Sequence, residues 1–225
     1  AITEGYMQNI DQNSFPWKVS ISLYLASYGF VFLFLKAKFF DDWSYYFDTT
    51  NSDLAVQFRV RGDWPTRVWI ESGLLRMRPE LFHLGMFIGY FLAGWCLFHI
   101  LKTLKFLGQQ NRELITILFL VFPINSARVA MVNFAYCLSL LLFYFAWYLL
   151  VTKKSQFAHI ASIVLFVLSF GATASLMVFL LVPICHVAYL KYLNPKSNGI
   201  REWWILALIS ILSPMYWYLD RRFNA

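Results

Sequence analysis

The chain is short of charge. Only 14% of its 225 residues are Asp, Glu, Lys or Arg, where an average soluble domain has about 25%. That deficit argues against an ordinary water-facing surface around a soluble core. Cysteine is scarce as well. Cys96, Cys137 and Cys185 all lie in apolar stretches, where a free thiol behaves as a small buried hydrophobe, so no disulfide framework is expected. The motifs G-x-x-x-x-G-K-[ST], G-x-G-x-x-G, G-x-S-x-G and H-E-x-x-H are missing. Nucleotide, hydrolase-triad and zinc-protease chemistry therefore lose their usual support. The net charge is +7, yet no basic run reaches five residues, so no nucleic-acid partner is expected. Residues Ala1 to Pro16 are polar and lack the basic and apolar regions of a signal peptide.

Apolar side chains are plentiful: 60% of residues are hydrophobic and 20% aromatic, with 23 Phe and 9 Trp. This excess points to lipid as the solvent, with Trp and Tyr at the headgroup level. Seven apolar stretches stand out, at about 18–39, 80–101, 113–131, 133–151, 157–173, 174–192 and 203–219. At about 20 residues per span, they predict an all-α, polytopic transmembrane bundle of about seven spans. No repeat or linker divides residues 1–225, so one transmembrane domain is expected. Gly85 and Gly89 form a small-xxx-small pair that permits close helix contact. Pro123 and Asn125 should shorten or kink the third stretch.

Charge is unevenly spread. The first loop, about 40–79, holds seven of the twelve acids when its edge is included: Asp41, Asp42, Asp48, Asp53, Asp63, Glu71 and, at the edge, Glu80. It also holds Arg59, Arg61, Arg67, Arg76 and Arg78. Within it, "GDWPTRVWIESGLLRM" reads as an amphipathic helix lying in the membrane interface. Asp63 can cap that helix and Pro65 suits its first turn. Trp64, Val68 and Leu75 fall on one face, with Arg67 and Glu71 on another. Lysines and arginines cluster at Lys102, Lys105 and Arg112, at Lys153 and Lys154, and at Lys191, Lys196 and Arg201. The intervening loops offer only Arg128. The positive-inside rule then places the N-terminus and the basic loops in the cytoplasm and loop 40–79 outside.

Three constellations can carry chemistry. Asp41 and Asp42, directly behind the first apolar stretch, can serve as a general base or hold a divalent cation. No other cofactor or metal site is indicated. Trp43, Tyr45, Tyr46 and Asp48 follow as candidate substrate contacts, and burial against the aromatics would raise an aspartate's basicity. The bland alternative is a helix stop in water. Arg59, Arg61 and Arg67 are suited to bidentate phosphate binding, or else to ion pairs within a solvated loop. Arg128 is a lone charge between apolar spans, a functional candidate by default, with a snorkelling helix-end arginine as the alternative. Of the histidines, His83 and His99 bracket the second stretch, His159 begins the fifth, and His186 reads as a packing residue.

Three segments carry a family resemblance: "FFDDWSYY" at 39–46, "RVRGDWPTRVWIESGLL" at 59–75 and "FPINSARVAMVNFAYCLSLLLFYFAWYLL" at 122–150. Over roughly residues 18–151 the chain resembles the GT-C superfamily of membrane glycosyltransferases, the bacterial branch that modifies lipopolysaccharide or O-antigen. The resemblance implies a sugar donor on polyprenyl phosphate, a glycan or lipid acceptor, and a bacterial inner-membrane location. It implies Asp41 or Asp42 as base, with Arg128 or a loop arginine on the donor phosphate. Family members usually have more than seven spans, so a minimal member or a part of a longer one is expected. Two other readings are a non-enzymatic membrane subunit with further membrane partners, and an O-antigen polymerase or ligase.

Overall fold

The computed structural model describes residues 14–37, 70–71, 78–122, 129–172, 179–193, 204–212 and 215. Among these residues the architecture is all-helical, as the apolar pattern predicts. Helix α1 spans Trp17–Tyr28 and tightens into a 3₁₀ turn at Gly29–Leu33. Helix α2 spans Pro79–Lys102. Pro79 sits at its first turn, where a missing N–H costs nothing. Glu80 begins the helix, while His99 and Lys102 end it, matching the macrodipole at both ends. Helix α3 spans Gln109–Val121 and stops two residues before Pro123, the break expected from that proline. A 3₁₀ turn at Met131–Asn133 leads into α4, Phe134–Thr152. Helices α5 (Gln156–Ala172) and α6 (Leu181–Leu193) follow, then α7 at 204–212.

Of the about seven spans expected, the described residues show two: α2 and α4, of 24 and 19 residues, are long and apolar enough to cross a membrane. The 13 described residues of α6 rise about 20 Å, against a hydrocarbon core of about 30 Å. Helices α1 and α5 are apolar but also shorter than a full span.

Helix α4 is the spine between two cores. One core joins Tyr24, Tyr28, Phe82, Met86, Leu120, Met131 and Phe134 from α1 to the start of α4. The second joins Phe143, Trp147, Phe166, Phe170, Val187 and Ile209 from α4 to α7. The glycine pair does what its spacing predicts. A Cβ on Gly85 would lie 3.1 Å from Phe134, and one on Gly89 would lie 2.8 Å from the Cys137 sulfur. Cys96 and Cys137 are buried as expected, whereas Cys185 is exposed on α6, because its neighbour His186 takes the inward position.

Large apolar side chains lie on the surface as well as in the two cores. Leu84, Ile88 and Leu92 form an exposed stripe on α2, and Phe157, Ile160 and Val164 form one on α5. Inside lie Thr116, Ser139, Ser162, Ser169 and His186. Several link helices: Ser162 donates to the Ala146 carbonyl at 2.9 Å, and Tyr24 donates to the Phe87 carbonyl at 2.9 Å.

His186 is more than filler. The Trp147 indole N–H donates to its Nδ1 at 3.1 Å. The Thr103 hydroxyl donates to the Ile100 carbonyl at 2.7 Å, so Thr103 Oγ1 accepts from His186 Nε2, 2.8 Å away. An indole only donates, so the ring is held as the Nε2–H tautomer. This chain ties α6 to α4 and to the end of α2. His186→Phe keeps a ring of similar size but strands the indole donor. It should lower unfolding stability in detergent by about 1–2 kcal/mol. A cycle with Trp147→Phe should show coupling of about 0.6 kcal/mol or more; strictly additive losses would mean the two side chains act independently.

Candidate functional site

Asp41, Asp42, Trp43, Tyr45, Tyr46, Asp48, Arg59, Arg61, Arg67 and Arg128 all lie outside the described residues. Where the chain leaves and re-enters the bundle around them is described. Helix α1 runs antiparallel to α2: Phe15 packs edge-on against Phe98, at 5.3 Å between ring centroids, while Tyr24 packs against Phe87 at 4.5 Å. Beyond α1, the Leu35 carbonyl accepts a hydrogen bond from His83 Nδ1 at 2.9 Å. The chain thus departs for the acidic loop beside the start of α2, where it also returns at Arg78.

The second candidate segment has its roots at the same end. Tyr28 donates to the Phe122 carbonyl at 3.1 Å, just past α3. Val129, where the described chain resumes, lines a cavity of about 10 Å³ with Tyr24, Tyr28, Val31 and His83. So the flanks of 38–77 and of 123–128 converge on one end of the bundle. The opposite end is basic. It carries the 103–108 connection, joined to α6 through Thr103 and His186 and through Phe106 and Tyr189. Lys153 also sits there, 5.9 Å from the Tyr148 ring centre.

Glu71 departs from its expected place. As part of an interfacial helix it should share a polar face with Arg67, yet it is only 1% exposed. Ile70 beside it packs on the first core, which draws the backbone inward at this point. His83 is buried too. Neither stands among the residues that the sequence singles out for chemistry. For Glu71 the only hint is its setting between Trp69-Ile70 and Leu74-Leu75. Among the described residues no group of three or more His, Cys, Asp or Glu is placed to hold a metal ion.

With this geometry the described residues define a class only: they are all-helical, with two helices of membrane-crossing length. Comparison with protein-family models, curated proteins and solved structures gives no match.

Proposed function

We propose that the chain is an integral membrane protein of a bacterial inner membrane that transfers sugar from a polyprenyl-phosphate donor to a glycan or lipid acceptor. The membrane part rests on the exposed apolar stripes of α2 and α5 and on the two helices of membrane-crossing length among the described residues. Lipid tolerates such a surface, while water penalises large contiguous apolar patches. The catalytic part rests on one observation. The described residues that flank the segments bearing Asp41 and Asp42, the loop arginines, and Arg128 lie at one end of the bundle, opposite the lysine-rich end. That supports a shared external site in which a carboxylate meets an acceptor hydroxyl and arginines meet a donor phosphate. All seven apolar stretches contribute to the membrane domain in this reading, the shorter helices reaching only part of the depth.

The activity is tested with the purified full chain, a polyprenyl-phosphate sugar and membrane glycolipid acceptors, reading product by mass spectrometry. Failure to transfer sugar from a range of such donors, together with stable co-purifying membrane proteins, would leave the subunit reading. The topology has its own check. In intact cells an impermeant thiol reagent should label Ser52→Cys and not Ser155→Cys, because basic loops stay cytoplasmic. Labelling of Ser155→Cys alone would invert the orientation.

A further inference from the structure

The basic end of the bundle holds a feature that sugar transfer does not use. Along α2, the positions Leu84, Ile88, Leu92, Trp95, His99 and Lys102 follow one another at spacings of three and four, so they share one helix face. Its first three members are exposed and apolar. Trp95 and His99 are half-buried, and Lys102 is exposed. On the neighbouring helix α4, exposed Phe145 stacks on Tyr148 at 6.2 Å. Three rings then meet at one level: Trp95 lies 4.5 Å from His99 and 5.3 Å from Tyr148, and His99 lies 5.9 Å from Tyr148. Above them Lys153 leans over Tyr148 at 5.9 Å. Lys102 ends α2 three residues past His99, and Lys153 caps α4 beside Tyr148, the ring that meets His99.

We infer that this face is a binding site for an anionic phospholipid, with its phosphate between Lys102 and Lys153 and an acyl chain along Leu92, Ile88 and Leu84. The polarity sequence matches such a lipid in order: hydrocarbon, then an aromatic shelf at headgroup level, then ammonium groups. Complementing the helix dipole accounts for Lys102 at the end of α2. The dipole of α4 likewise favours Lys153, its C-cap, and the Tyr148 ring holds that ammonium on the side where Tyr148 meets His99. Arg112 donates to the Leu107 carbonyl at 2.8 Å, and Glu113, the one described acid here, accepts from Gln109. The local field is therefore positive. The inference rests on the membrane reading and is independent of the glycosyltransferase one.

The test uses the full chain in phosphatidylcholine vesicles containing brominated lipid, which quenches tryptophan on contact. Brominated phosphatidylglycerol should quench more than brominated phosphatidylcholine, and Trp95→Phe should remove most of the difference. Lys102→Gln and Lys153→Gln should each weaken the preference about fivefold, while Lys36→Gln, on the opposite end, should leave it unchanged. Equal quenching by the two lipids overturns the site, as does an equal loss in Lys36→Gln. Displacement of the preference by inorganic phosphate at fixed ionic strength would also overturn it, since the site would then take a free anion. A chain that stays soluble without detergent and does not enter vesicles would overturn the membrane reading itself.

Discussion

Replacing Asp41 by asparagine is expected to leave the protein folded and to cut sugar transfer by at least about a hundredfold. Asparagine keeps the shape of the side chain and removes its basicity, so the change separates chemistry from folding. A positioned general base contributes roughly 10²- to 10⁴-fold, and the lower figure sets the minimum loss. Asp41 directly follows Phe39 and Phe40 at the end of the first apolar stretch, so it is expected to lie nearer the membrane and to be the better desolvated of the two. Adjacent residues point about 100° apart on a helix and to opposite faces on a strand. In either case Asp41 and Asp42 cannot serve one small substrate equally. Asp42→Asn is therefore expected to act more mildly, through acceptor orientation or a bound cation. The reverse ranking would exchange their roles within the same mechanism. Normal transfer by both single variants and the double variant would reduce the pair to a helix stop and overturn the enzyme reading.

The largest structural effect is expected at Gly89. A methyl group there would stand 2.8 Å from the sulfur of Cys137, which is buried and donates to the Met86 carbonyl at 3.6 Å. The thiol is a short, buried side chain on the facing helix, so either it gives up its contact with Met86 or α2 and α4 separate. Overpacking of this kind costs about 1–3 kcal/mol, read as lower unfolding stability of the detergent-solubilised protein. Cys137→Ala in the same chain should recover most of the loss by vacating the contact. Gly108→Ala is the control: nothing lies within 4 Å of the added carbon, and exchange at this helix start should cost no more than about 1 kcal/mol. A Gly89→Ala variant as stable as the parent would mean that α2 and α4 do not pack this closely.

Both predictions begin from features visible in the sequence, and they differ in what else they need. The Gly85 and Gly89 spacing announces a close helix contact, but its partner is 48 residues from Gly89 along the chain at Cys137, by their numbering. Pro123 announces the end of α3, and the observed end at Val121 agrees. The helices themselves were legible because a long apolar run without breakers leaves the backbone no better way to satisfy its N–H and C=O groups. Their lengths were less legible. Apolar composition continues past Tyr28 into a 3₁₀ turn, and hydropathy does not register that change of hydrogen bonding. The candidate site was readable only as residue types: carboxylates behind an apolar run and arginines suited to phosphate.

The sequence by itself determined the helical class, the apolar surface and the uneven distribution of charge, since each depends on composition and on neighbours within one or two turns. Only the tertiary structure decided that the roots of the acidic loop and of the Arg128 segment share one end, that Glu71 is buried, and that His186 joins Trp147 to Thr103. Those arrangements are made by hydrogen bonds and packing between groups 39 to 94 residues apart. No local pattern encodes such a pairing, because each partner's surroundings exist only once the helices have packed.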